Sequence, residues 1–578
     1  MRKFEDFYYN GEATDEEAAI RELIEARRLA VDTETISLKD RTCIGIGSGT
    51  ANSQWYYPTY PSNSKWGSLL GSVLAPANQS RKLYHNFKYD YPVLRATLGP
   101  IDDKEIEDSY LIALQMGMSS GLEYIGKGLL GFSDMFSISD LFAETGKGDK
   151  ATMLDVPEHR VALKCMNDVK ATYHAFDYLY PKMNAQELDC YNVDMKLLPI
   201  FHKMEAKGLK LDKDQVNSWA TEYIVKIMTR AQSMEKAFGF SPGSPLQVGR
   251  YLESIGCRLP RNRNTGGITT DEDALIDLDH PIGYQVLDYR GDVKIYGTYI
   301  KPWLEEERGY THFRGDLSTS RLASSGLEGV NCGHVCSNFQ NIPPDMRAIF
   351  SPDGDEFVWM DFSQIEMRVF SYLSQDSVMN DAYANGRDIH YETQSAVWPG
   401  SDRNNQSLRL ASKTGNFSMI FDAKLNTVYR SLKAAAYKFN TPLTLTKADV
   451  ARMMAGWKNT YSGGAAWMGE QQRKQEPYAY SIFGNKMRLP EAHTPFEYEH
   501  RNKCRINYPV QGSAAGIIKR AMILVDEQAT KEMDMRLQVH DELVFDGGFD
   551  RGVLDDLGLD RISAVYTPFE VDRGGKWK

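Results

Sequence analysis

The clearest alternation of apolar and polar positions lies toward the C-terminal end, in Met535–Asp546, MRLQVHDELVFD. Two short apolar runs, Leu537–Val539 and Leu543–Phe545, flank His540-Asp541-Glu542, a pattern that predicts a hairpin with acids at its tip. An apolar run in Val358–Val369, VWMDFSQIEMRV, ends in Asp361 and continues with the charged pair Glu366 and Arg368. Nearer the N-terminus, Leu29–Thr35, LAVDTET, reads as a strand whose period of two sets Asp32 and Glu34 on one face. CIGIGSG supplies a further strand, and KLYHNFKYDYPVL a helix start carrying Asn86, Tyr89 and Asp90. VALKCMNDVKATYHAF is helical and holds Asp168. Residues 196–235 are amphipathic and helical, broken at AKGLKLDKDQV by a glycine turn and an aspartate suited to an N-cap.

The sharpest helical spacing is in Arg409–Phe421, RLASKTGNFSMIF, where Arg409, Lys413, Phe417 and Phe421 recur every four residues along one stripe. A plain amphipathic helix would place Leu or Ile there. Two cations followed by two rings suit a nucleoside triphosphate, with charge for the polyphosphate and a flat apolar surface for base and sugar. Arg290 and Lys294 are also four apart in VLDYRGDVKIYGTYIKPWL. Asn507 and Gln511 repeat that spacing ahead of GSAAG, whose small residues permit close backbone approach. The stretches TPLTLTKADVARMMAGWKNTYSG and YAYSIFGNKMRLP read as helices closing into a short hairpin, with Trp457 in the core.

The chain has 578 residues, 42% hydrophobic and 25% charged, the balance of a folded protein of about three or four domains. No apolar run reaches the roughly 18 residues of a membrane span, and the acidic N-terminus lacks a signal-peptide core, so a soluble cytoplasmic chain is expected. Seven cysteines spread from Cys43 to Cys504 argue for reduced thiols. Cys332, His334 and Cys336 offer three zinc ligands, but a structural site needs four and no second Cys/His pair lies nearby. The net charge of −11 speaks against nucleic acid until its distribution is considered. Residues 401–440 carry seven Lys/Arg against two Asp/Glu, and residues 501–520 five Lys/Arg and no acid. Magnesium takes hard oxygen ligands, commonly one or two carboxylates plus substrate phosphates. Two such ions about 3.5–4 Å apart can hold the attacking and leaving oxygens of a phosphoryl displacement, and Asp361 with Asp541 fits that arrangement.

VHDE near the C-terminus, preceded by DFSQIE, closely resembles the palm motifs of family A DNA polymerases, the bacterial DNA polymerase I and bacteriophage replicase group. The resemblance covers nearly the whole chain. It implies a multidomain α/β fold: an RNase H-like 3′–5′ exonuclease domain in residues 1–185, then a right-hand polymerase domain in 186–578. Within the latter the thumb would be about 190–310, the palm about 311–385 and 490–578, and the fingers about 386–489, with no separate 5′-nuclease domain. The implied reaction is attack of a primer 3′-hydroxyl on the α-phosphate of a deoxynucleotide. Asp361 and Asp541 would hold two Mg2+, Arg409 and Lys413 the triphosphate, and Phe417 and Phe421 the nucleotide. Glu366 would be the sugar gate, Glu542 a support, and His540 a contact to the primer end. Arg290 and Lys294 would meet duplex phosphates, Arg321, Gln340 and Asn341 the minor groove, and Asn507 and Gln511 the duplex. The implied partners are primer-template DNA and deoxynucleoside triphosphates, bound by a monomer without a membrane. A processivity factor or replisome helicase or primase is not deducible.

Asp32, Glu34, Asp90 and Asp168 resemble the three exonuclease motifs of the same polymerases, with two further Mg2+. One departure stands out: the tyrosine slot four residues before the last aspartate holds Lys164. The expectation is a domain that still binds two metals and hydrolyses a strand more slowly, or uses another group to position water. In the fingers, Phe421-Asp422 replaces the usual Tyr-Gly, and in this family a phenylalanine at the Phe417 position goes with rejection of dideoxynucleotides. Two rivals are a single-subunit RNA polymerase and a catalytically silent DNA-binding remnant. Glu366 in DFSQIE and the nuclease-like N-terminus favour deoxynucleotides, and intact Asp361 and Asp541 disfavour a remnant.

Overall fold

The computed structural model describes residues 1–577 apart from 5–6, 61–65, 263–264, 326–335 and 529–532. Residues of the N-terminal third form a seven-stranded mixed sheet in the order Arg2–Lys3, Tyr8–Asn10, Gln54–Pro58, Cys43–Gly49, Arg28–Thr35, Arg81–Tyr84, Ile106–Asp108. Arg28–Thr35 is central, antiparallel to Cys43–Gly49 and parallel to Arg81–Tyr84. The 22-residue helix Glu158–Leu179 lies across these strands. Glycine permits the approach: a Cβ at Gly47 would come within 2.6 Å of Cys165 Sγ and 2.8 Å of Val169. This contact brings Lys164 and Asp168 over the acids of the central strand.

The second large core runs from Leu197 to Trp577 and surrounds a four-stranded antiparallel sheet. Its order is Asp534–Val539, Glu542–Asp546, Phe357–Phe362, Phe569–Gly574. Helices Ile365–Ser374 and Pro495–Gln528 pack against each other beside it, the latter 34 residues long with small residues at its buried face. Two smaller cores stand apart, one around Val248, Leu252, Leu275 and Val286, the other around Ala411, Val428, Leu432 and Met453. The turn foreseen at AKGLKLDKDQV is present. Gly208 has φ +57, and Asp212 caps helix Lys213–Phe238 by accepting the Gln215 N–H at 3.1 Å. The hairpin closing the helical region pairs Tyr478–Tyr480 with Lys486–Arg488, and Trp457 is buried.

The two smaller cores touch. Arg430 pairs with Asp273 and Asp277, Lys433 with Asp279 at 3.1 Å, and Tyr284 stacks on Tyr437 at 4.3 Å. Part of the positive charge counted in 401–440 is therefore spent on acids of this chain. Of the zinc candidates, Cys332 and His334 lie outside the described residues, and Cys336 is half-buried. Among the described residues no helix is long and apolar enough to cross a membrane.

The sheet of the N-terminal third is docked on the rest by buried polar contacts. Gln115 donates to Asp194 at 2.5 Å, where Lys519 also donates at 2.8 Å, and Asn485 donates to Gln115 at 3.0 Å. Lys88 pairs with Glu205, which also accepts the Phe313 N–H at 2.6 Å. Burial opposes the charge on Glu205, but Lys88 and a hydrogen bond from His312 hold its carboxyl down to about 2. The linked stability is complete above the ordinary carboxylate range and is lost as pH falls through the folded value. Lys88→Met should therefore weaken this docking by on the order of 3 kcal/mol at neutral pH, because a shielded carboxylate loses its counter-charge. Hydrogen exchange checks it: helix Phe87–Leu98 should exchange faster in the variant, and the gap between variant and parent should narrow on acidification.

Candidate active site

Asp361 follows four buried positions, Phe357–Met360, at the end of a central strand. The register places it opposite Glu542 on one side and Glu570 on the other. The Phe362 N–H donates to the Asp541 carbonyl at 3.0 Å, tying this strand end to the tip of the predicted hairpin. The hairpin loop is His540-Asp541, between the paired Val539 and Glu542. His540 takes φ +56, a sign that suits a two-residue hairpin loop but is usually left to Asn or Gly. A second left-handed residue, Gln364 at φ +55, turns the chain from the strand into helix Ile365–Ser374 and sets Glu366 in its first turn.

Burial, then the charges of Asp541, Glu542 and Glu570, pushes Asp361 up to about 7. Burial also raises Asp541 and Glu542. The three acids differ in their partners. Glu542 accepts the Trp577 indole N–H at 2.7 Å and lies 3.5 Å from Arg347, whose guanidinium sits 4.5 Å from the Trp577 ring centre. Among the described residues Asp361 and Asp541 have no side chain in ion-pair contact. Two partly buried carboxylates at one sheet end without a direct counter-charge form a fitting donor set for a divalent cation.

Beside them opens a cleft of about 400 Å³ lined by Arg321, Gln340, Glu366, Gln538, His540 and Asp541, among others. Gln340 donates to Gln538 at 2.8 Å, and Arg321 pairs with Glu366. The Arg321 guanidinium, expected to face the minor groove, is thus engaged by the side chain expected to gate the sugar.

Helix Gln406–Ile420 buries Ala411, Gly415, Asn416, Met419 and Ile420, which leaves the stripe of Arg409, Lys413, Phe417 and Phe421 on its accessible edge. This helix contacts the helix of Glu366. Arg409 pairs with Asp388 at 2.6 Å. Lys413 is exposed and has no ion pair among the described residues. Phe417 is half-buried against the large core, and Phe421 ends the helix. Asp422, where the resemblance expects glycine, keeps a left-handed φ of +51 and accepts from Gln472 at 2.8 Å.

The sequence reading missed His390. Its ring lies 6.0 Å from that of Phe417, and the charges of Arg409 and Lys413 reach it. Burial pulls it down to about 4, so it is neutral at pH 7. The buried Asn416 determines its tautomer. The Trp457 indole can only donate, and does so to Asn416 Oδ1 at 2.9 Å, leaving the amide NH2 to donate to His390 Nδ1 at 2.9 Å. His390 therefore carries its proton on Nε2. Spacing gave no sign of this network, because its members come from three helices. Trp577 was also missed; a lone tryptophan in GGKWK gives no pattern to read.

In the N-terminal sheet, Lys164 Nζ lies 2.8 Å from Glu34 Oε1 and 2.7 Å from Asp168 Oδ2. Cys165 Sγ is 3.4 Å from Asp32 Oδ2, and ligand atoms of Asp32, Glu34 and Cys165 lie within 4.8 Å of one another. Burial and then its acidic neighbours Glu34 and Asp168 raise Asp32 well above the usual range. Burial opposes the charge on Lys164, but Asp168, Glu34 and Asp32 outweigh it and keep the amine protonated. Asp90 is held separately, accepting the Thr33 hydroxyl at 2.6 Å, and burial pushes it up to about 8. Asn86 contributes its backbone N–H to the buried Asp108, and Tyr89 meets the Thr35 hydroxyl at 2.8 Å.

The remaining DNA candidates separate. Arg290 is half-buried and donates to the carbonyl and hydroxyl of Thr270. Lys294, one turn on, is exposed. Asn341 is exposed, its carbonyl accepting the Tyr299 hydroxyl at 2.9 Å. Asn507 and Gln511 are half-buried one turn apart on helix Pro495–Gln528, and Asn507 Oδ1 is buried without a partner.

A sequence model of DNA polymerase family A matches residues 213–549, which hold the strand end, the cleft and the hairpin. The chain belongs to DNA polymerase family A. It is 25% identical to DNA polymerase I of Pseudomonas aeruginosa over 92% of this chain and 60% of that one. With DNA polymerase I of Bacillus subtilis it is 29% identical over 68% of this chain and 46% of that one. This family A chain thus spans about half the length of the curated relatives it matches. Its fold is similar to that of the POL domain of Pol1 from M. smegmatis, solved in complex with DNA primer-template and dNTP. The TM-score is 0.73 at 22% identity, covering 97% of both chains.

Asn416 is the testable joint of the helix that carries the cations. Asn416→Leu leaves the Trp457 indole and His390 Nδ1 without the amide, at about 1–3 kcal/mol for each group left unpaired, while the Thr393 hydroxyl keeps Ile389 and Tyr461. Denaturant melts should show a loss of several kcal/mol. A variant as stable as the parent would mean that this network contributes nothing.

Proposed function

We propose that the chain is a DNA-templated DNA polymerase that extends a primer 3′ end with deoxynucleoside triphosphates in viral or bacterial DNA replication. The observation that carries the reading is the pair Asp361 and Asp541. Both are partly buried, neither has a direct counter-charge among the described residues, and both stand beside an open cleft whose Glu366 helix touches the helix of Arg409, Lys413 and Phe417. In the M. smegmatis neighbour the same fold was captured with primer-template DNA and dNTP, which supports the assignment.

Asp361 and Asp541 would hold two Mg2+, which when bound supply the charge that stabilises the attacking and leaving oxygens. The protein's own part is positioning. Arg409 and Lys413 offer positive charge to the polyphosphate, and Lys413, free of ion pairs among the described residues, serves the leaving pyrophosphate. Phe417 presents a flat face to the nucleotide, with His390 behind it as an Nε2–H donor. Glu366, fixed by Arg321, fills the space that a ribose 2′-hydroxyl would need. Glu542 is held by Trp577 and Arg347, so it shapes the potential without being free to ligate fully. His540, with Gln340 and Gln538 beside it, would meet the primer end. Arg290, Lys294, Asn341, Asn507 and Gln511 are kept as duplex contacts.

In this reading the small core around Val248 and Val286 is the thumb, and the one around Ala411 and Met453 the fingers. The four-stranded sheet belongs to the palm. Residues 1–185 are an exonuclease-like domain.

Asp361→Asn and Asp541→Asn should each reduce magnesium-dependent primer extension by at least about 10²–10³-fold, since each removes a ligand for transition-state charge worth several kcal/mol. Primer-template binding should stay within a few-fold of the parent. Extension by either variant at the parent's rate would overturn the reading, and so would a parent that extends the primer only with ribonucleotides.

A further inference from the structure

Four buried or half-buried carboxylates in the N-terminal sheet invite a metal pair, yet the chain has placed a cation of its own among them. Lys164 Nζ bonds Glu34 at 2.8 Å and Asp168 at 2.7 Å, and its side chain is only 10% exposed. A magnesium ion would bind the same carboxylate oxygens at about 2.0–2.1 Å. An ion between those two oxygens would lie inside the space the ammonium fills, so the two are mutually exclusive there. The neighbouring position is altered as well. The third group gathered with Asp32 and Glu34 is the Cys165 thiol, a soft ligand poorly matched to magnesium, while Asp90 is turned to the Thr33 hydroxyl.

The donor set therefore does not fit the two-metal expectation. Resting on the exonuclease-like reading of residues 1–185, we propose that Lys164 is a tethered cation standing in a metal position, so that this site takes up no Mg2+ or Mn2+ and hydrolyses no strand.

The placement is local and reversible. Lys164 lies one helical turn before Asp168 on a helix clamped to the sheet through Gly47 and Gly49, and both acids point to the ammonium from separate elements. Removing the lysine, with the clamp intact, would leave Asp32, Glu34 and Asp168 without their internal counter-charge and open to an external one.

Thermal melts of the full chain carrying Asp361→Asn and Asp541→Asn, so that the open site has lost its two candidate ligands, test this in EDTA and in Mn2+. The background chain should melt at the same temperature in both. Adding Lys164→Met should lower the melting temperature in EDTA, Mn2+ should restore it, and the restoration should vanish when Asp32→Asn is added. A rise with Mn2+ in the background chain that Asp32→Asn abolishes would overturn the proposal, as would a Lys164→Met chain indifferent to Mn2+. If Lys164→Met fails to fold, the background chain with and without Asp32→Asn decides alone. Degradation of single-stranded DNA by Lys164→Tyr, with the polymerase acids intact, bears on the other reading. A gain supports the exonuclease-like assignment; Mn2+ uptake without cleavage counts against that assignment and leaves the role of Lys164 standing.

Discussion

Carboxylates withdrawn from water and crowded together need positive charge, and this fold meets that need in two opposite ways. At the end of the strand Phe357–Phe362 the acids are left open: Asp361 is driven up to about 7 by burial and by Asp541, Glu542 and Glu570. In the N-terminal sheet the same kind of cluster is closed by Lys164. Both arrangements are costly for the fold alone, since like charges in low dielectric repel strongly. A site that stays open is one poised for an ion from outside, whereas a closed one has become part of the structure.

The surrounding architecture keeps the open site open. A four-stranded sheet fixes Asp361 beside the hairpin tip through the Phe362–Asp541 backbone bond. Trp577 and Arg347 take up Glu542, and Arg321 takes up Glu366, so the nearby cations are already committed. The helix with Arg409, Lys413 and Phe417 turns its charged edge outward because Asn416 anchors its other face to Trp457, Thr393 and His390. Trp577 is itself buried, which makes it part of the site's support.

Much of this was legible in the residues. Period-two alternation around His540–Glu542 located the hairpin, and a four-residue spacing located the stripe from Arg409 to Phe421, because both patterns are local and both report a face. The glycine turn and aspartate cap before Lys213 were equally local. What the pattern could not supply was pairing across the chain. Arg290 and Arg321 look like free cations in sequence, but Thr270 and Glu366 claim them through packing that no spacing encodes. The same holds for His390 and Trp577, single residues whose partners lie on other elements. Lys164 was visible as a departure, but only the structure places its ammonium between Glu34 and Asp168.

The contrast between the open and the closed cluster is tested most directly by locating bound cations. Crystals of the full chain soaked in Mn2+, with the ions placed by anomalous scattering, should carry Mn2+ beside Asp361 and Asp541 and none between Glu34 and Asp168. Manganese seated in the N-terminal cluster with Lys164 displaced, or none beside Asp361 and Asp541, would contradict the account.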